Sequence, residues 1–224
     1  MAPAVLVSQG MDAPVSLPDP GTDCRLISAD YPVCVETPRL LMTQAQESDV
    51  ARLTRFMRDN AEHVRDVVPM PTEEFTQELA LAELRSLRAD WETRTRLRFI
   101  LTRRDDPGGE VVGMRSFTRI RYGADRSCTM SGMIDHRHVR NGYSTEAARG
   151  GIAFCFGVLA LHRIDAEHWH GHEVVPAVMA KLGFTRIGIA PAYRWANGAW
   201  RDFVLYCRTN PDAPAGDYRS DGPA

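Results

Sequence analysis

Lysine is nearly missing from this chain: Lys181 is the only one among 27 basic residues. The bias toward arginine reads as base composition of the gene, not as chemistry. Paired cysteines are missing too. Cys24, Cys34, Cys128, Cys155 and Cys207 make an odd number with no Cys-x-x-Cys pair, which excludes a simple disulfide framework and fits free thiols in a reducing compartment. No apolar run reaches membrane-spanning length. The first residues lack a basic start and a continuous apolar core, because Ser8, Gln9, Gly10 and Asp12 interrupt it, so no secretory signal is expected and the default is the cytoplasm. A strong charge of either sign is also absent. The net charge of −2 argues against a broad electrostatic grip on nucleic acid, while a local basic groove stays open. What remains, 44% apolar and 25% charged residues over 224 positions, is an ordinary globular composition for one domain with an extension.

Residues 1–34 are rich in Pro, Gly, Asp and Ser, and the reading is an extended or poorly ordered segment; residues 210–224 have the same character. Order is expected to begin at Glu36–Thr43, a strand entered through Pro38. Glu47-Ser48-Asp49 then opens a helix through Met57, with acidic residues in the first turn where the helix dipole favours them. A second, charged helix is expected from about Pro71 to Glu92. Arg98–Thr102 and Val111–Phe117 form a hairpin around Asp105-Asp106-Pro107-Gly108-Gly109, and Arg126–Asp135 supplies a further meander strand. A last hairpin turns at Asn197-Gly198, with Trp200 and Tyr206 on its second strand. The fold class is α/β (α+β), a mixed, mostly antiparallel twisted sheet flanked by helices.

Function concentrates at Val139-Arg140-Asn141-Gly142-Tyr143-Ser144-Thr145, a loop opening a helix whose residues Ala147–Leu159 are almost wholly apolar. Such a helix is buried, so its start is fixed at a cleft. Free N–H groups and the positive dipole end favour an anion there, and Arg140 adds a full charge. A pyrophosphate is the natural guest. Then come Leu161-His162-Arg163-Ile164 and, at the end of another helix, Lys181-Leu182-Gly183-Phe184. In this order, with Gly142-Tyr143-Ser144-Thr145-Glu146-Ala147, these motifs resemble the GNAT N-acetyltransferases, most closely their RimJ/RimL-type branch.

The resemblance implies the GNAT fold over residues 35–209, with a sheet splayed between its fourth and fifth core strands. It implies acetyl-CoA as co-substrate, its pyrophosphate in the Val139–Thr145 loop and its pantetheine arm along Gly132-Met133-Ile134-Asp135. The acceptor would be a primary amine, on a peptide or protein N-terminus or on an amine-bearing metabolite or antibiotic. The Thr37-x-Arg39-Leu40 strand and the Asn60-x-x-His63 segment also follow the branch, the latter bordering the acceptor side. Trp200 is a further acceptor-side candidate, with sheet packing the plainer role for it and for Tyr206.

Two departures bear on chemistry. Val139 stands where the family's loop has Gln or Arg. In the second helix, His172 and Val175 replace the branch's Asn and Ser, and Met179 stands where other branches carry a tyrosine. Acyl transfer needs a neutral amine, a polarised carbonyl and an outlet for the thiolate, and positioning alone supplies much of the rate. Asp135 and His136 are the candidates for taking the amine proton. His172, with Glu173 beside it, is the candidate near the sulfur. If extended, His168, His170 and His172 project to one side; a metal is not expected, because no fixed fourth ligand is identifiable. Pro176 fits the first turn of that helix and makes Val175 its expected cap. An alternative keeps the fold and changes the chemistry: a non-catalytic acyl-CoA-binding partner, or a transferase using another acyl carrier such as aminoacyl-tRNA. Edge strands of such sheets also suit a homodimer.

Overall fold

The computed structural model of the protein describes residues 15–17, 23–64, 75–196 and 198–213. Ten strands form one sheet: β1 (Val15–Ser16), β2 (Arg25–Ser28), β3 (Cys34–Glu36), β4 (Leu40–Gln44), β5 (Leu97–Arg103), β6 (Gly113–Arg121), β7 (Ser127–Ile134), β8 (Arg163–Trp169), β9 (Thr185–Ala196) and β10 (Ala199–Thr209). Neighbours follow chain order up to β8, after which β10 intervenes before β9. Every pairing is antiparallel except β7 with β8. The sheet is therefore mixed and mostly antiparallel, as expected.

Helices cover both faces. On one lie α1 (Val50–Asp59), which continues a short 3-10 turn at Glu47–Asp49, the single turn α2 (Ala61–Val64), and α3 (Gln77–Glu92). Thr76 caps α3 by accepting from the Leu79 N–H. Leu53, Phe56 and Met57 of α1 meet Ala80, Leu84 and Leu87 of α3 over Ile100 and Met114 of the sheet. The other face holds α4 (Tyr143–Gly157), buried along most of its length. It packs on Met42, Phe99, Phe117 and Ile164 within the larger core. Close approach depends on Gly151: a Cβ there would lie 2.5 Å from the Phe117 ring. The short α5 (Val175–Lys181) ends with Leu182 and then Gly183 at φ +72°, the glycine terminus expected from Lys-Leu-Gly-Phe.

Three expectations change. The N-terminal segment is not loose where it is described: β2 pairs with β3, and Cys24, Leu26, Ala29 and Val33 are buried in the main core. Their burial overrides the Pro/Asp-rich composition around them. The expected strand Glu36–Thr43 is two strands, because Thr37 turns the chain. Its hydroxyl accepts from the Leu40 N–H at 3.1 Å, and its own N–H reaches Leu40 C=O at 2.9 Å. The cap of α5 is Val174, one residue earlier than expected. The expectations on residues 1–14, 18–22, 65–74 and Asn197, and most of the 210–224 tail, fall outside the described residues.

Candidate active site

The ladder between β7 and β8 runs from Ser127↔Arg163 to Met130↔Ala166 and stops. Both strands continue, β7 to Ile134 and β8 to Trp169. Each keeps its outer neighbour over that stretch, Gly113↔Ile134 on one side and Phe203↔Trp169 on the other. Their inner edges therefore diverge, leaving main-chain groups of β7 beyond Met130 facing a gap. This is the splay expected between the fourth and fifth strands counted from β4.

At the end of β7 the chain makes a 3-10 turn, His136–His138, and reaches the start of α4. Arg140 at φ 64° and Gly142 at φ 80° are both left-handed, which turns the chain sharply into the helix. The first helical bond is Glu146 N–H to Gly142 C=O at 3.1 Å. The N–H groups of Tyr143, Ser144 and Thr145 precede it, and no described group accepts from them. Three adjacent free donors at the positive end of a buried helix form an anion cradle.

The loop is held from behind by a contact that no local pattern reveals. One Glu146 carboxylate oxygen accepts from the Thr37 hydroxyl at 2.6 Å and the Arg39 N–H at 2.7 Å. The other accepts from Arg39 Nε at 2.7 Å, while Arg39 Nη1 donates to Asn141 C=O at 2.9 Å. The same guanidinium lies 4.8 Å over the Tyr143 ring. The Thr-x-Arg motif thus braces the loop. Of the remaining loop residues, Val139 is exposed and Arg140 projects to solvent.

Asp135, His136 and Asn60 come together at the end of β7. Asp135 is fully buried. It accepts from Arg137 N–H at 2.8 Å, from Arg137 Nε and Nη2 at 2.9 Å each, and from Asn60 Nδ2 at 3.0 Å. These bonds, chiefly those from the Arg137 side chain, hold its carboxyl well below the usual carboxylate range. A carboxylate so stabilised is a poor base, so the geometry reassigns Asp135 from proton acceptor to scaffold. Asn60 is buried as well, and is a strut between α1 and β7 where an acceptor contact was expected. Its amide nitrogen donates to Phe56 C=O and to Asp135, so its oxygen is fixed as an acceptor. That oxygen takes the His136 N–H at 2.8 Å and lies 3.2 Å from His136 Nδ1. In its neutral form His136 therefore carries its proton on Nδ1, which leaves the lone pair on Nε2. The His63 ring stands 6.4 Å away.

Across the gap, His168 sits two residues beyond the last β7–β8 pair. It is buried, whereas His170 is exposed and His172 half-buried, although an extended chain would put all three on one side. The strand ends at Trp169, so the alternation breaks there. Its Nδ1–H donates to Trp169 C=O at 2.7 Å, its ring stacks on Tyr206 at 5.5 Å, and Nε2 faces the Tyr206 hydroxyl at 3.4 Å. Burial lowers its pKa and keeps it neutral. The His172 ring is 6.5 Å away in the loop before α5, and Glu173 is exposed. Among the described residues no group of three His, Cys, Asp or Glu is placed to hold a metal ion.

On the opposite side of β8, Glu167 is nearly buried and its Oε1 accepts from Arg119 Nη2 at 3.1 Å and from Arg194 Nη2. Tyr193 and Phe203 flank it with rings 5.8 Å apart. This cluster was not anticipated; only the acidic residue at a strand end hinted at it. Trp200 packs across the hairpin on its strand partner Trp195. It is 61% exposed near the β9–β10 turn, edge-on to Trp195 at 5.9 Å.

A mixed sheet parted between two parallel strands, beside a helix start with free amides, defines the GNAT type of acyl-CoA fold. Residues 39–185 match the acetyltransferase (GNAT) domain family, and the chain belongs to that family. A [ribosomal protein uS5]-alanine N-acetyltransferase of Escherichia coli is 29% identical over 103 residues, 46% of this chain and 53% of the relative, so the chain spans about half the length of that relative. Among solved structures, a ribosomal-protein alanine acetyltransferase from Vibrio fischeri superposes with a TM-score of 0.76 at 23% identity, covering 81% of this chain and 99% of the other. RimJ of Mycobacterium smegmatis, solved in complex with CoA-disulfide, gives a TM-score of 0.71 at 25% identity, covering 78% of this chain and 84% of the other. Among the described residues no helix is long and apolar enough to cross a membrane.

Proposed function

We propose that the protein transfers the acetyl group of acetyl-CoA to a primary amine, the α-amino group of a peptide or protein N-terminus. The observation that carries this reading is the pairing of free amides at Tyr143–Thr145 with the gap that opens after Met130↔Ala166. Family membership and the likeness to ribosomal-protein N-acetyltransferases support the acceptor class.

Bound acetyl-CoA supplies an activated acetyl group as a thioester. The chain's residues then have three tasks. The amides of Tyr143, Ser144 and Thr145, with Arg140, bind the diphosphate, and Met133 and Ile134 on β7 offer main-chain groups to the pantetheine arm. His136 Nε2 takes the amine proton, with Asn60 fixing its tautomer and Asp135 fixing Asn60. His172 returns a proton on the cofactor side, in place of the absent serine, with Glu173 next to it. His63 and Trp200 border the acceptor, and Glu167 offers a carboxylate toward its ammonium group. The exposed edge strand β9 supports pairing of two copies through that edge.

Thiol release from acetyl-CoA across peptides with N-terminal Ala, Ser or Met and a set of free amines tests the proposal. Turnover is expected with the peptides and should fall about 100-fold in His136→Gln, with CoA affinity unchanged. Absence of CoA binding by calorimetry would overturn the reading.

A further inference from the structure

Arg115 lies on β6, on the face covered by α4, and is 95% buried by its 5% residual exposure. Its Nη2 donates to Ser144 C=O at 2.9 Å and to Ser144 Oγ at 3.1 Å. Its Nε has no partner, and among the described residues no carboxylate pairs with it. Burial lowers its pKa to about 10, which still leaves it cationic at neutral pH. A buried charge without a counter-ion is expensive. Here it also lies beneath the first turn of α4, where the helix dipole is already positive, so the two repel.

The surrounding sequence makes room for this charge. Arg115 pairs with Gly132 across β6 and β7, and a Cβ at Gly132 would stand 2.9 Å from Arg115 Nη1. A side chain there would meet the Met114 carbonyl at 2.5 Å as well as the guanidinium, so the glycine serves the strand contact and the charge together. The contact with Ser144 has a second effect. Because Oγ accepts from Arg115, the serine's own proton is left to donate elsewhere, and Ser144 belongs to the free-amide turn.

Given an acyl-CoA in this site, we infer that Arg115 is a built-in counter-charge for its diphosphate, acting from beneath the helix start and turning the Ser144 hydroxyl into a donor toward the anion. It is a positioning residue that touches Ser144, and it makes the empty protein less stable in exchange for a tighter hold on the anion. Apolar packing alone would place a hydrophobic residue on this strand, as at Phe117, the neighbour two residues along the same face.

The test uses the full chain and three ligands: CoA, dephospho-CoA and pantetheine. In Arg115→Met, CoA and dephospho-CoA are expected to bind about tenfold more weakly by calorimetry, while pantetheine binding stays unchanged. The melting temperature without ligand should be equal to or above that of the parent. Arg115→Lys keeps the charge and should hold CoA affinity to within about threefold. Unchanged CoA affinity in the methionine variant overturns the inference, as does an equal loss in the lysine variant. If the parent protein binds none of the three, it is the acyl-CoA reading itself that fails. If methionine at this position prevents folding, Ser144→Ala decides: it should weaken CoA binding several-fold and leave pantetheine alone, and an unchanged preference for diphosphate-bearing ligands in that variant would defeat the inference.

Discussion

Two buried charges, one near each face of the sheet, are treated in opposite ways. Asp135, beside α1, has both carboxylate oxygens occupied by Arg137 and Asn60. Arg115, under α4, meets only a serine and leaves its Nε bare. A charge whose every lone pair is used is framework: it fixes the exit of β7 and the tautomer of His136. A charge left short of partners, pressed against a like-signed helix end, is poised for something that arrives later. Under the proposed function, the acceptor side is completed by the protein itself, whereas the cofactor side is completed by its ligand.

Three changes probe that contrast, the strongest first. Gly142→Val forces a β-branched residue to φ +80° and points its Cβ at Arg39 Nη2, 3.3 Å away. It should distort the free-amide turn and weaken CoA binding at least about 100-fold, read by calorimetry, while the acceptor side keeps its fold. Loss of global folding instead would show that the two sides are not separable. Asp135→Asn should lower stability by about 2 kcal/mol in chemical denaturation, since it removes a buried charge-assisted hydrogen-bond acceptor while Arg137 keeps its ion pair with Glu110. Here the direction with pH follows from the shift. The folded-state pKa of Asp135 is depressed, so its stabilisation is present above the unfolded value near 4 and disappears as pH falls toward the folded one. The variant should therefore show a shallower loss of melting temperature below about pH 4 than the parent. The smallest effect is expected at Trp200→Ala. An exposed indole near a hairpin turn contributes less than about 0.5 kcal/mol to stability, so a change in KM for a peptide acceptor without a change in melting temperature would place it against the substrate.

The residues explain which parts were legible beforehand. The Gly142 loop, the apolar α4 and the hairpin turn at Gly198 each carry a short-range signature in composition or periodicity. The partition of β7 from β8 came from family resemblance, since divergence of two strands leaves no mark on either alone. Contacts between distant positions were not legible. Glu146 meets Thr37 and Arg39 from more than a hundred residues away, and an ordinary first-turn glutamate looks the same whether it is braced or solvated. Arg115 resembles any polar residue on a strand until the opposite face is known. Asp135 and Asn60 belong to the site by sequence, one as a proton acceptor and the other as an acceptor-side contact, but burial and bonding give both a supporting geometry. The N-terminal strands were obscured because Pro and Asp around them outweigh a few well-spaced apolar residues.

The bracing of the cofactor loop by Thr37 and Arg39 has an evolutionary corollary. Because one carboxylate on α4 fastens the free-amide turn to the entrance of β4, that turn is braced by residues other than those of the Asn60, Asp135 and His136 cluster. Hairpin tips and the edge strand take no part in this brace, so under the proposed function changes there would alter the client while the grip on the common fuel stays the same.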